Sequence, residues 1–310
     1  MSKDRPHSGY GAGFRRKQAV HRAVLAIAVL ILISISAAGF MRLGNPRGNE
    51  RRELQSLWES SAYAEAYAQS AGLLAQKPLD FFLLTIHGFS AYQLAIAQIN
   101  NSDTLRFIDD CIWSLRKALL SNEAEKDGRL FYVLGKAYYD KGQGYADLAV
   151  EYLEKARARG YEARDIPQYL GLAYAAIRDY RGSVAAFTLA LGRDASDVLL
   201  LSIARSYIAL EENDSARAYL LRCVDLSRDS KTKVAARLLL GDILVKAGDT
   251  AGAEDQYLKA LEDGGENAEA HYQLGVLYDA GGDTTRARAE WRRAVRINPA
   301  HGPSRLKLNT

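Results

Sequence analysis

Between residues 128 and 301 the chain repeats itself. Leu274-Gly275 and Tyr278 are followed by Gly282-Asp283, then by Ala287, Trp291 and Ala294, then by Pro299. Thirty-four residues earlier, Leu240-Gly241, Leu244, Gly248-Asp249, Ala253, Tyr257 and Ala260 fill the same slots. Three earlier copies read Ile203-Ala204, Tyr207, Ala216, Leu220, Cys223; Leu170-Gly171, Tyr174, Ser183, Phe187, Ala190; and Leu134-Gly135, Tyr138, Ala149, Leu153, Ala156. Offsets between copies run from 33 to 37 residues and are expected at turns, around Gly142–Gly144 and Lys231–Lys233. The small, bulky, small series recurs at steps of four and three, which is one face of a 3.6-residue helix. An array with this period cannot bury its apolar faces one unit at a time, so the units must stack.

The segment Ala268–Pro299 closely resembles the tetratricopeptide repeat (TPR), and five aligned copies make the resemblance specific over about 130–300. It implies an all-α fold: helical hairpins stacked in a right-handed solenoid. The Gly or Ala beside each Leu lets two helices approach closely, the Tyr fills the gap between them, and Pro ends the unit. Residues 128–301 are therefore expected to hold five repeats, with 302–310 as a C-terminal tail. Residues 47–125 resemble the family weakly, as two degenerate units. Ala66, Leu73 and Pro78 fit second-helix slots of the first. Gly88 fits the glycine slot of the next, whose first helix begins near Phe81. Cys111, Leu115 and Ala118 lie in its second helix, after an insertion around Asn100–Leu105. About seven hairpins are expected in all.

Ahead of the repeats, Ala23–Met41 is nineteen residues without a charge, bracketed by Arg22 and Arg42. A helix needs about 20 such residues to cross a bilayer. We read 23–41 as one uncleaved transmembrane signal anchor, since it exceeds the h-region of a cleaved signal peptide. Ser36-Ala37-Ala38 before Gly39 is the competing cleavage site. Residues 1–22 form a basic tail with six Lys and Arg against Asp4; only Arg42, Arg47, Arg51 and Arg52 follow closely. That asymmetry predicts a cytoplasmic tail with the repeats outside. The expected setting is a bacterial inner membrane with the repeats in the periplasm. The alternative is an organelle membrane with the repeats in the cytosol.

The net charge of +4 is concentrated in that tail, and the remaining 288 residues sum to −1. The repeats lack the basic footprint of a nucleic-acid binder. Gly9–Phe14 is glycine-rich but follows no strand, so it is not read as a phosphate loop. Cys111 and Cys223 are expected to pack in small-residue slots, and none of the five histidines shares a metal-ligand spacing with another. His271 is expected to pack in a slot that often carries an aromatic. Asp179, Asp249 and Asp283 recur where they can cap second helices. We therefore expect no catalytic residue, no metal and no cofactor.

The resemblance implies that partners lie in the groove formed by first helices. Helix geometry directs Phe89, Tyr92, Tyr132, Tyr139 and Tyr272 there, with Lys136, Arg205, Asp242 and Asp279 beside them. Aromatics with scattered charges suit a peptide or helical segment of another protein. TPR domains that clamp the C-termini of large chaperones use Lys, Asn and Arg on successive first helices. Here those positions read Tyr132 and Lys136, Gln168 and Leu172, Leu201 and Arg205, without asparagine. The expected function is a membrane-anchored scaffold or adaptor that organises an envelope-associated assembly. The alternatives are a periplasmic chaperone-like binder of exported polypeptides and an enzyme with its site in 47–125.

Overall fold

The computed structural model describes residues 46–309. The predicted membrane-spanning segment 23–41 and the basic tail lie outside the described residues. Among the described ones, no helix is long and apolar enough to cross a membrane. The described residues are helical throughout, with short turns, and fall into two compact units divided after Ala118.

The first unit holds α1 (Pro46–Glu59), α2 (Tyr63–Leu74), α3 (Phe81–Ala97) and α4 (Asn101–Ala118). The second holds five hairpins: α5 (Gly128–Lys141) with α6 (Ala146–Ala158), α7 (Ile166–Ala176) with α8 (Tyr180–Arg193), α9 (Asp197–Ala209) with α10 (Asn213–Leu226), α11 (Ser230–Lys246) with α12 (Thr250–Gly264), and α13 (Ala268–Ala280) with α14 (Thr284–Ile297). A final helix, α15 (Gly302–Asn309), packs on α14. In the second unit each second helix also packs against the next first helix, so the hairpins stack in chain order. The segment expected as a tail thus folds as a helix, because Ser304 is fully buried and takes up His301 at 2.9 Å.

The turns follow from local chemistry. Asp179, Asp249 and Asp283 each accept a backbone N–H, from Gly182, Gly252 and Arg286, at 2.8–2.9 Å. Each satisfies an orphan donor at a helix start. The residue before the cap takes a left-handed conformation: Gly248 and Gly282 do so at φ 79° and 83°, Arg178 at φ 64°. The expected turn at Gly142–Gly144 is present, with a single 3-10 turn over Gln143–Tyr145. The one around Lys231–Lys233 is not. There the extra residues lengthen α11 at its start, where Asp229 caps by accepting from the Thr232 N–H and hydroxyl. The insertion expected at Asn100–Leu105 is likewise the opening of α4, where the Asn100 side chain accepts from the Ser102 N–H.

Packing inside each hairpin centres on one contact. A Cβ added to Gly135 would lie 2.6 Å from Leu153, and one on Gly171 would lie 2.5 Å from the Phe187 ring. Gly241 meets Tyr257 and Gly275 meets Trp291 in the same way, and Gly88 meets Leu115 in the first unit. In α9 the slot is Ala204, fully buried opposite the smaller Leu220. Small residues one turn either side of the bulky one are buried throughout: Ala149 and Ala156, Ala253 and Ala260, Ala287 and Ala294, Cys111 and Ala118.

The recurring tyrosines differ from expectation. Tyr138 is buried, but Tyr174, Tyr207 and Tyr278 are half-buried. Tyr174 donates to Glu154 at 3.1 Å and Tyr278 to Glu254 at 2.6 Å, each carboxylate lying on the second helix of the preceding hairpin. Their rings join repeat to repeat, and their hydroxyls remain at the surface because a phenol buried without a partner is costly. His271 also does more than pack: its Nδ1 lies 2.6 Å from the Glu290 carboxylate, which also accepts from Arg293.

In the first unit, His87 of α3 meets the Ser114 hydroxyl of α4 at 2.8 Å and stacks on Tyr67 of α2 at 4.5 Å. The Tyr67 hydroxyl donates to Asp110 at 2.7 Å. Burial holds the His87 pKa below the usual imidazole range, against the pull of Asp110.

Gly171→Ala should destabilise by about 1–3 kcal/mol through overpacking, outweighing the roughly 1 kcal/mol that Ala gains in helix propensity. Gly72→Ala, in open space on α2, should instead stabilise. Urea denaturation of the two variants checks the contrast. A histidine with a lowered folded pKa contributes stability that is present above its unfolded value and lost as pH falls through the folded one. The urea midpoint followed by Trp58 fluorescence should therefore fall as pH drops below about 6.5, and His87→Gln should flatten that slope.

Candidate protein-binding face

The residues expected in the groove occupy three slots of the first helices: three before the small residue of the glycine slot, one after it, and four after it. The structure separates them into groups with different surroundings.

Phe89 and Tyr92 are not on a groove. They are only 7% and 3% exposed, and Phe89 packs on Trp58 at 5.9 Å. The expectation fails because α3, Phe81–Ala97, is apolar around its whole circumference, and α1 and α2 as well as α4 pack against it. A helix apolar on all sides is buried on all sides.

Tyr132, Lys136 and Tyr139 of α5 do come together. Lys136 Nζ donates to Asp165 at 2.8 Å and to the Tyr132 hydroxyl at 3.1 Å. The Tyr132 hydroxyl donates to the same carboxylate at 2.8 Å. Lys136 also lies 4.6 Å from the centre of the Tyr169 ring, which Tyr139 meets edge-on at 5.5 Å. Burial works against the Lys136 ammonium, but the bonds to Asp165 and Tyr132 outweigh it and raise its pKa above the ordinary value. Burial pushes the Tyr132 phenol up to about 12. These groups therefore satisfy one another and tie α5 to the start of α7. Asp165 is the member that sequence reasoning missed. It precedes α7 as a capping residue would, yet its side chain makes no cap bond and reaches back to the preceding hairpin.

At the other end, Tyr272 and Asp279 of α13 are covered by the last helix. Lys307 reaches Asp279 at 3.1 Å, and His301 lies 5.4 Å from Tyr272. Tyr272 lines a cavity of about 430 Å³ with Gly302, Pro303, Leu306 and Lys307.

Between these ends most of the same slots are aliphatic, the polar ones being Gln168, Arg205 and Asp242. Leu172 and Ala175 on α7, Ile208 on α9 and Leu238 on α11 are half-buried; Val198 on α9, one helical turn before Leu201, is 55% exposed, and Val245 on α11 is also exposed. Arg205 and Asp242 fall in the slot after the small residue. Arg205 is exposed and makes no ion pair with a described residue. Asp242 is half-buried and accepts from the Tyr257 hydroxyl at 2.8 Å, and burial raises its pKa. Tyr257 passes Gly241 and emerges beside Asp242, so this carboxylate serves the core as well as the face. The aliphatic members had no signal of their own, because an apolar residue in a helix reads first as core.

Cys223 is buried, its thiol donating to the Asp197 carbonyl at 3.3 Å, and burial pushes its pKa up to about 11. Cys111 is a buried free thiol as well. Among the described residues, no three His, Cys, Asp or Glu converge as metal ligands.

The stacked helical hairpins define a TPR-type solenoid. The tetratricopeptide-repeat family model matches residues 201–263 and 238–301. The structure is similar to the C-terminal part of a TPR repeat-containing protein from Cytophaga hutchinsonii, with 17% identity, a TM-score of 0.61, and coverage of 84% of this chain and 100% of that one. It is also similar to PilF of Pseudomonas aeruginosa, at 16% identity and a TM-score of 0.51, covering 72% of this chain and 96% of that one. A chain of the Naa15/Naa10 complex bound to HypK-THB matches at 16% identity and a TM-score of 0.51, with 85% of this chain and 38% of that chain covered. No curated protein matches the sequence. TPR proteins in general mediate protein–protein interaction.

Asp165→Ala should cost about 1–3 kcal/mol, because it leaves the Lys136 ammonium half-buried without its carboxylate. Lys136→Met should cost less, since its stem already lies along Tyr169, and the double variant should recover part of the loss. A double-mutant cycle in urea reads the coupling.

Proposed function

We propose that this protein is a membrane-anchored TPR scaffold, without catalytic activity of its own, that holds a segment of another protein on the first-helix face of α7, α9 and α11. The observation that carries the reading is the aliphatic stripe on these three helices. Val198 and Val245 are exposed, and Leu172, Ile208 and Leu238 lie half-buried against the core beneath them, between two ends whose polar groups are already paired. Exposed and half-buried aliphatic side chains along a stack of first helices suit the apolar face of an amphipathic helix or an extended peptide. Arg205 adds a cation that can meet a partner carboxylate.

The anchor at 23–41 and the basic tail before it support a bacterial inner-membrane setting, with the repeats on the periplasmic side. Confinement to one membrane raises the effective concentration of the scaffold towards partners there. That suits an adaptor for an envelope assembly. The same aliphatic stripe would also serve a holdase for exported polypeptides, and the spectrum of captured proteins separates the two.

Photo-crosslinkers placed at Val198 and Val245 of the full chain should capture one stoichiometric partner. Val245→Asp should weaken that complex by tenfold or more, on the order of 1–2 kcal/mol for a central contact. Leu258→Asp, on the exposed side of a second helix, should leave it unchanged. Capture of many unfolded chains selects the holdase. Loss of the complex with Leu258→Asp but not with Val245→Asp sinks the assignment of the face.

A further inference from the structure

We propose that the outer face of α14 docks an acidic α-helix of a partner protein, one that carries Asp or Glu at four-residue spacing. This surface lies on a second helix and is separate from the first-helix face described above. Arg288, Arg292 and Arg296 recur at steps of four, so they share one side of α14, and all three are exposed. Arg288 donates to the Leu308 carbonyl at 3.0 Å. Arg292 and Arg296 make no ion pair or hydrogen bond with a described residue.

Other second helices balance their cations locally. Lys155 pairs with Glu151 on α6 and Lys259 with Asp255 on α12, each at i, i+4. On α14 itself Arg286 is held by Asp283 and Arg293 by Glu290. The stripe has no such partner, because the two helices that border it offer none. Glu290, the one carboxylate within α14, is buried against His271 and Arg293. The last helix, α15, has no Asp or Glu and adds Arg305. Residues 284–310 hold seven Lys and Arg against Glu290 alone, whereas 46–283 hold 27 against 35 Asp and Glu. Like charges at i, i+4 repel on a helix, and this stripe contains two such pairs. The helix dipole favours Arg296 in the last turn but gives no reason for Arg288 in the second.

A partner that brings carboxylates removes both repulsions. Four residues advance a helix by about 6 Å, so a helix with Asp or Glu at i, i+4 and i+8, laid along α14, presents its charges at the same interval. Each guanidinium can meet a carboxylate with two parallel bonds. Thr285 and Ala289 beside the arginines are small and let a helix approach. A lipid surface fits less well, because no large apolar side chain of α14 is exposed to enter it. A long nucleic acid would be repelled by the acidic balance of residues 46–283.

The test uses the full chain in neutral detergent and two labelled helical peptides of equal charge. One has glutamate at every fourth position; the other has the same glutamates spread around the helix. Fluorescence anisotropy should show the first bound at least roughly fivefold more tightly, with binding weakened by salt. Arg292→Glu should weaken that peptide by about fivefold or more. The same substitution should raise the urea midpoint of the free chain, because its carboxylate sits at i, i+4 from both Arg288 and Arg296. A face that is merely solvated would give the second effect without the first. Equal binding of the two peptides overturns the proposal, and that comparison needs no substitution. Unchanged affinity in Arg292→Glu overturns it as well. So does tighter binding, per charge, of duplex DNA or of short-chain phosphatidylglycerol than of the spaced peptide.

Discussion

The close approach of two helices at a single small residue sets the geometry of every repeat from α5 to α14. Where Gly135, Gly171, Gly241 and Gly275 stand, the neighbouring helix inserts Leu153, Phe187, Tyr257 and Trp291 into the space a Cβ would take. The inserted group grows from Leu to Trp along the chain, yet the hairpin is conserved as a unit. The flanking alanines on the second helix leave the bulky residue room to lie down, and interiors at crystal-like density do not tolerate a surplus methyl there. Where the slot becomes Ala204, its partner is Leu220 rather than a ring. Small and large are therefore matched across the pair, not chosen independently.

Stacking follows from that geometry. A hairpin closed at the small residue still has an apolar side on each helix, and the next hairpin covers it. The tyrosines three residues beyond the slot show how the cover is fastened. Tyr174 and Tyr278 push their rings into the seam and send their hydroxyls back to Glu154 and Glu254 of the preceding repeat. At the front of the second unit the fastening is ionic, through Lys136, Tyr132 and Asp165. At its end, α15 closes the stack with Lys307 on Asp279. Polar groups that would otherwise be open to a ligand are thus used in holding repeats together, and this leaves the aliphatic middle as the face with most to gain from a partner.

A membrane-tethered solenoid with such a face would combine two simple effects. On the proposed reading the tether would restrict where the scaffold can be, and the stripe would select what it holds. The first unit differs from the second in burying α3 on all sides.

The periodicity of the sequence was sufficient to identify the hairpins, the small-bulky-small contact and the aspartate caps, because each depends on residues at fixed local spacing. The same local logic failed where more distant chain decided the outcome. Phe89 and Tyr92 sit in groove slots by spacing but are covered because α1 and α2 close over α3. Lys231–Lys233 and Asn100–Leu105 read as turn and insertion, but become helix because Asp229 and Asn100 accept backbone N–H groups at the helix starts. Lys136 looked available until folding brought Asp165 back across the repeat boundary, and Val198 and Val245, which spacing did not single out, are exposed because no neighbour covers them. Spacing along a helix determines which side a residue faces; only the packed neighbours determine whether that side meets protein, an ion partner or water.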